Sequence, residues 1–244
     1  MKKASLIIVF LFGNFLLCAA QEKFLYTKDF KIILAKTKDA GSNLFYDKLL
    51  KRFQADDSTL TRPEILSLLI GFTDKPAYKP YTVLETERLI YKLNDDGKFK
   101  AAHDTAVILL KTYPLSYQGL KELSYSYSKL DKADSAEYTL NLVAKIMSAM
   151  MYSGDGRSAE TAMFALGPAD GQHLITGAGL SLGSMGSGRD KSGNFLDMLQ
   201  AVTKEGDKIQ MYFNIQHAVL KMFDGKSAKE MMEEQDKKKT NNKN

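Results

Sequence analysis

The stretch GKFKAAHDTAVILLKTYP, Gly97 to Pro114, decides the fold class. Gly97, Phe99, Ala102, Leu110 and Pro114 mark one helix-turn-helix unit, and a shift of 34 residues brings up a second. The following stretch carries that second unit through Leu120, Leu123, Tyr127, Ala133, Ala136 and Leu140. A hairpin of this length cannot bury its apolar face alone, so it stacks on neighbours and usually presents a concave face to a partner. The pattern points to binding rather than catalysis.

From Leu84 to about Met151 the chain reads as paired helices of tetratricopeptide-like type. Leu89, Ile90 and Leu93 form the apolar stripe of the first helix, Asp95-Asp96-Gly97 turns the chain, and Ala102, Ala106, Leu109 and Leu110 return against it. Small residues at 102 and 136 fit where paired helices approach closely. Pro114 ends the return helix, Ser116 caps the next, and Leu120, Leu123 and Tyr127 face inward. A partner helix starts at Asp131 or Lys132 and buries Val143, Ile146 and Met147. No Trp stands at the usual first position of the repeat, and ordinary antiparallel helices are the alternative arrangement.

Upstream, Asp29 is positioned to cap a short helix with Phe30, Ile33 and Leu34 apolar, and Ser42 to cap another with Phe45, Leu49 and Phe53 on one stripe. Thr61 caps a third, with Pro63 in its first turn and Ile65, Leu66, Leu69 and Ile70 buried, before Gly71 stops or bends it. The segment Asp74-Lys75-Pro76-Ala77-Tyr78-Lys79-Pro80-Tyr81 is expected to run extended over the surface because of its two prolines.

The character changes at Ser153-Gly154-Asp155-Gly156-Arg157-Ser158. Ala162 to Leu166, Asn194 to Thr203 and Lys208 to Ile215 read as strands, with Glu205-Gly206-Asp207 turning between the last two. Helical character returns from Gln216 to Met222 and from Ser227 to Glu233. The expected class is therefore α+β: tetratricopeptide-like hairpins through residues 21–152, then a small antiparallel sheet with helices over 153–233. A disordered polar tail, 234–244, closes the chain.

Residues 1–20 read as a signal peptide: Lys2 and Lys3 are the positive region, Leu6 to Leu17 the apolar region, and Cys18-Ala19-Ala20 precede a cut before Gln21. An apolar run of that length falls short of the roughly 20 residues needed to span a bilayer as a helix. The expectation is an exported chain, periplasmic or extracellular, without a transmembrane segment. Leu17 stands where Gly, Ala or Ser normally precedes a lipidated cysteine, so Cys18 is read as a spacer lost with the signal rather than a lipid anchor. With no other cysteine, the mature fold must rest on its own core, which roughly 220 residues can supply.

The composition, 44% hydrophobic and 26% charged, is that of a globular protein. The net charge is +5 and falls to +3 without Lys2 and Lys3. Much of the excess sits in Lys237, Lys238, Lys239 and Lys243, a pattern of a solvated terminus rather than a nucleic-acid surface.

Several pieces, in this order and spacing, carry a resemblance over nearly the whole mature chain. They are Phe45 to Phe53, Asp57 to Thr61, Leu69-Ile70-Gly71-Phe72, Tyr78-Lys79-Pro80-Tyr81, Gly154 to Ser158 with Glu160-Thr161-Ala162, and Tyr212-Phe213-Asn214-Ile215. The chain resembles exported Bacteroidetes proteins grouped as a domain of unknown function, the DUF4919-like family. That resemblance implies a source and a location but no activity. The glycine-rich stretch from Gly177 to Gly193 departs from the pattern by being looser.

The surface best suited to function follows from the repeat. First helices of such hairpins line the concave groove, which assigns Glu87, Tyr91 and Asn94 from one unit and Lys121, Tyr125 and Ser128 from the next. Two tyrosines among polar neighbours suit a peptide or protein segment. A weaker candidate is an anion nest at Gly154, Gly156, Arg157 and Ser158, against a plain turn in which Asp155 bonds its own backbone. Gly183, Gly186, Gly188 and Gly193 with Arg189, Lys191 and Ser192 fail the phosphate-loop spacing, because Asp190 precedes Lys191, and read as a surface loop. His103, His173 and His217 lack metal-ligand spacing, and no cofactor or metal is expected. The leading reading is an exported, non-catalytic interaction or envelope-associated module. The competing class is a hydrolase or small-ligand binder with a site between the two regions, near Arg157 and His173, where Asp170 and a serine could assemble with the imidazole.

Overall fold

The computed structural model describes residues 24–222. The signal-peptide reading, Cys18, the 227–233 helix and the polar tail lie outside them. Within them the fold is α+β: seven helices lead into a sheet-bearing part in which two further helices pack on four strands.

Thr61 accepts the Glu64 amide while the Glu64 side chain accepts the Thr61 amide, a capping box that starts α3, Arg62–Phe72. Every residue of α3 from Ile65 to Phe72 is buried, which makes it the hub of the amino-terminal half. Gly71 continues the helix rather than stopping it. A Cβ there would lie 3.0 Å from Thr37 and Tyr46, so the glycine lets α1 (Tyr26–Lys38) and α2 (Tyr46–Gln54) close onto α3. The starts of these two helices differ from expectation. Asp29 lies one turn inside α1 and accepts the Leu25 amide at 2.7 Å, while Ser42 accepts the Leu44 amide in the preceding turn. Leu49 and Phe53 are buried as read, with Tyr46 beside them.

The proline-bearing segment after α3 does not run over the surface. It folds into turns that sink Tyr78 into the core, where its hydroxyl donates to the Leu166 carbonyl at 2.6 Å. Tyr78 packs edge-on against Phe72 and stacks with Tyr113. This aromatic group ties the helical half to the sheet-bearing half.

Four helices follow: α4 (Val83–Asp95), α5 (Phe99–Thr112), α6 (Tyr117–Lys129) and α7 (Ala133–Ser153). The 34-residue offset is visible in the backbone itself. Gly97 at φ 73° and Asp131 at φ 56° make the two hairpin turns, and Lys98 donates to Leu93 as Lys132 donates to Tyr127. Ala102 is fully buried in the first hairpin, and the Ala136 carbonyl accepts the Ser124 hydroxyl in the second. Ser116 caps α6 by accepting the Gly119 amide at 2.8 Å. The apolar stripe of α4 is the correction: Leu89 is exposed, and Glu87 and Asn94 are buried with Ile90.

The four-stranded sheet has the order β1-β4-β3-β2, from β1 (Met163–Phe164), β2 (Ser181–Arg189), β3 (Phe195–Val202) and β4 (Lys208–Asn214). The sheet is mixed rather than purely antiparallel, because β1 pairs in parallel with β4. The stretch read as a glycine-rich surface loop is the edge strand β2. Its glycines serve the neighbour: a Cβ at Gly183 would meet Gln200 at 2.8 Å, and one at Gly188 would meet the Met198 sulfur at 2.8 Å. Side chains of β3 lie across the space those residues leave. Between α7 and β1, extended Gly154 passes so close that a Cβ would lie 2.4 Å from the Thr161 carbonyl oxygen. Helices α8 (Asp170–Gly177) and α9 (Gln216–Met222) complete the layer, and His217 of α9 stacks on Phe164 at 4.4 Å.

Gly154→Ala tests this hand-over from helices to sheet. Its contact is with backbone, which cannot step aside, so the substitution is expected to cost about 1–3 kcal/mol in urea unfolding. An unchanged midpoint would contradict the close approach.

Candidate functional site

The site is a cleft whose two long walls are α4 and α6 and whose end wall is α8. Two short helical faces supply the first walls: Glu87, Arg88 and Tyr91 lie within one turn of α4, and Gln118 and Lys121 within one turn of α6. The end wall is held by two glycines. Gly171 lets α8 lie on the sheet, since a Cβ there would meet the Phe213 ring at 2.7 Å, and Gly177 faces the Tyr117 hydroxyl, 2.5 Å from where a Cβ would sit. On α8, His173 stacks flat on Tyr117, with ring centres 6.0 Å apart and planes 9° from parallel. The cleft, open on one side, holds about 560 Å³ among Tyr81, Glu87, Arg88, Tyr91, Gln118, Lys121 and His173 and their neighbours. A shallower hollow of about 280 Å³, among Tyr91, Asn94, Lys121, Glu122 and Tyr125, shares Tyr91 and Lys121 with it.

The six residues read as the groove therefore meet on one face but divide in depth. Tyr91 is 55% exposed and Tyr125 46%, Lys121 is half-buried and Ser128 is exposed. Glu87 and Asn94 are buried and serve the seam between α4 and α6. The Ser116 hydroxyl donates to Glu87 at 2.6 Å. The Asn94 amide donates to a Glu122 side-chain oxygen at 2.8 Å and accepts the Ser126 hydroxyl at 2.8 Å. A polar side chain on the inner side of a helix pair must find such partners, because leaving it bare costs roughly 1–3 kcal/mol. Tyr125 is held from behind by the Phe99 ring, edge-on at 6.1 Å, and by Lys129 over its face at 5.3 Å.

One atom of Gln118 lacks a partner. Gln118 is only 6% exposed; its amide nitrogen donates to Glu122 at 2.9 Å, and its Oε1 has no hydrogen-bond partner. Turning the amide over would set two acceptor oxygens face to face, so the Glu122 contact fixes the orientation. Oε1 is thus a buried acceptor held in place within α6.

The charges around the cleft are asymmetric. Arg88 and Lys121 close no ion pair with any described residue, and both border it. Burial lifts the Glu87 carboxyl above its ordinary range, against the Ser116 hydrogen bond and the Arg88 charge. Burial, then the charge of Glu87, pushes Asp170 up to about 7, even though its carboxylate accepts the Gly167 amide at 2.7 Å. Asp197 is likewise pushed up by burial, to about 6. His173 goes the other way: burial, then the Lys121 charge, lowers it to about 4, so its imidazole is neutral at pH 7. Beneath the cleft floor, Glu87, Asp170 and the buried Tyr113 border a residual space of about 10 Å³, the size of a single water, and the Tyr113 hydroxyl has no partner.

His173 and Asp170, one turn apart, are used separately, the first for stacking on Tyr117 and the second for holding the turn before α8. Arg157 lies outside the cleft lining. At the loop read as an anion nest, the amides are already engaged: Gly156 donates to Thr161, Arg157 to the Asp155 carboxylate, and the Thr161 amide to Ser158. Of these, only the Arg157 amide meets a carboxylate, which gives the loop the form of a turn closed on its own backbone. Among the described residues no group of three or more His, Cys, Asp or Glu side chains is arranged to hold a metal ion. No described helix is long and apolar enough to cross a membrane.

Tyr81, Arg88, Gln118 and His173 are cleft residues that the repeat reading did not single out. Arg88 and Gln118 had a signal, each standing three residues before a residue assigned to the groove. Tyr81 had none, since the folding of the 74–81 turns brings it there, whereas His173 was singled out only by the competing ligand-site reading and is brought there by the docking of α8.

The profile of the family described as Domain of unknown function (DUF4919) matches residues 31–223. No curated protein and no solved structure matches the chain.

Stability against pH tests the half-buried Asp170 carboxyl. An acid whose native value is raised holds its proton longer folded than unfolded, so its contribution is full below about pH 4 and is lost as pH rises toward about 7 for Asp170. His173 and His217, lowered to about 4 and about 3, act in the opposite sense over the acid range, so the wild-type profile alone mixes both. Asp170→Asn isolates the term: the difference in unfolding free energy, variant minus wild type, should grow from pH 4.5 to 7.5. A flat difference would show that Asp170 titrates normally.

Proposed function

The chain belongs to this family of unknown function, and we propose that it is an exported, non-catalytic interaction module that holds a peptide or protein segment along the α4–α6 face. The carrying observation is the α4–α6 face on which exposed Tyr91 and Tyr125 stand with Lys121, while Tyr91 and Lys121 line both hollows. Large amphipathic side chains held against a rigid helix pair are the kind of anchor that dominates binding energy. The tetratricopeptide-like 34-residue turn geometry supports the same reading, because stacked hairpins present their first helices together. Export is supported by the charged, apolar and small-residue succession before Gln21. Periplasmic or extracellular placement and an envelope-associated role follow from it.

A second reading, a small-ligand site between the helical and sheet-bearing parts, is favoured by the size of the cleft between α4, α6 and α8. Its volume of about 560 Å³ is in the range of small-molecule pockets.

The test is selection of random twelve-residue peptides displayed on phage, using the purified protein as bait and, in parallel, Tyr91→Ala with Tyr125→Ala. Wild type should enrich a consensus, and the double variant should bind the selected peptides at least about tenfold more weakly, with an unchanged unfolding midpoint. Equal binding by the variant would remove the face from consideration.

A further inference from the structure

We propose that β2 is a pairing edge through which two copies of this chain join their sheets, strand to strand and antiparallel, about a two-fold axis at Ser187. The inference concerns a surface other than the α4–α6 face and does not rest on the peptide-binding reading.

The backbone of β2 calls for a strand beside it. It is the outermost member of the sheet, nine residues long, and its ladder is with β3 alone. A strand paired on one side directs the N–H and C=O of every second residue to the other side. Among the described residues nothing takes up those groups: the remaining backbone hydrogen bonds meet the chain at Leu180 and Asp190, just outside the strand. No residue of β2 is buried, so the row is open. An extended polypeptide is the ligand that offers donors and acceptors at the matching repeat.

Three features select a second copy as that polypeptide. The first is charge. Ser181–Arg189 holds no Asp, Glu, Lys or Pro, the residues by which edge strands commonly repel their own kind, and its one charge, Arg189, stands at the end. Arg189 is turned back over the Phe195 ring at 3.8 Å and donates to the Gly193 carbonyl at 3.1 Å. An antiparallel self-pairing therefore sets no like charges opposite each other. The second is register. The ladder to β3 is irregular between Leu182 and Met185 and continuous over residues 185–189. Pairing that continuous stretch with itself sets Ser187 against its own copy, Gly186 against the partner subunit's Gly188, and Met185 against the partner subunit's Arg189. Met185, 61% exposed, then gains the apolar stem of an arginine, while Gly186 and Gly188 on the other face bring no side chain of their own into the contact. The third is closure. At the far side of the sheet β1 is two residues long and buried, and next to it the Gly156 carbonyl accepts the Tyr212 amide. The sheet is thus free to grow at β2, and self-pairing there uses up both open edges, which gives a closed dimer rather than a fibre. One short strand pair is a small interface, so the dimer should be reversible.

Sedimentation equilibrium of the purified protein, with amide hydrogen exchange at the same concentrations, tests the pairing. The weight-average mass should rise toward twice that of the chain between about 10 and 300 µM, and the amides of residues 185–189 should gain protection over the same range. Met185→Lys with Ser187→Lys puts lysines on the edge and should weaken dimerisation at least about tenfold. Both positions are exposed, and an unchanged circular dichroism spectrum verifies that the variant folds. In a Cys18→Ser background, Ser187→Cys should cross-link to its own copy on mild oxidation, whereas Gln210→Cys on β4 should not. A mass that stays at that of one chain, or a dimer that the two lysines leave unchanged, would overturn the proposal. Amides of β2 equally protected at both concentrations would overturn it too, by assigning the edge to the chain's own terminal segments, and a monomer whose β2 amides exchange freely would do so by leaving the edge to a strand from another protein.

Discussion

Asn94 on α4 and Glu122 on α6 meet inside the helix pair, where the amide of one donates to both the side chain and the backbone carbonyl of the other. Ser126 and Gln118 extend this contact along α6, and Glu87 with Ser116 repeats it two turns earlier on α4. Apolar contacts tolerate sliding, but a buried polar pair with fixed donors does not, since a slip of one residue would strand several groups without partners. The seam therefore fixes the register of α4 against α6. Which residues reach the rim follows from that register: with Glu87 and Asn94 turned inward, Arg88 and Tyr91 must turn toward the cleft.

The rest of the molecule gives that helix pair its third wall. Tyr78 binds the Leu166 carbonyl, which fixes the chain just before α8, and Gly171 brings α8 down onto the sheet. His173, stacked on Tyr117, then faces the α6 wall. Helices and sheet share a continuous hydrophobic core running from Phe24 to Val219, so the cleft lies between two parts that do not have separate interiors. The cleft's shape is a consequence of packing far from it, through α3, Tyr78 and the sheet.

Sequence periodicity disclosed the helices because hairpins of fixed length need local marks: Thr61 and Ser116 as caps, Gly97 at a left-handed turn, Ala102 at a close approach. Strands β3 and β4 were legible for a similar reason, with a turn of the right chemistry between two runs of β-formers. What stayed hidden depended on partners distant in sequence. β2 has little apolar pattern of its own, and its glycines make sense only against Gln200, Val202 and Met198 on the neighbouring strand. Gly71 read as a stop or a bend in the helix until Thr37 and Tyr46 stood against it. At the site, the tyrosines were visible as groove residues, whereas the buried roles of Glu87 and Asn94 were not. A helix face that looks polar reads as solvent-facing unless the facing helix supplies donors and acceptors, and Ser116, Glu122 and Ser126 do so here.

The seam is the claim on which the cleft stands, and a double-mutant cycle on Asn94→Ala and Glu122→Ala measures it most directly. Each single change strands a buried group and should cost about 1–3 kcal/mol in urea unfolding. The double change should cost less than the sum, with a coupling of about 1–2 kcal/mol. Additivity within about 0.5 kcal/mol would contradict the account, because it would mean that the two side chains do not hold α4 and α6 together.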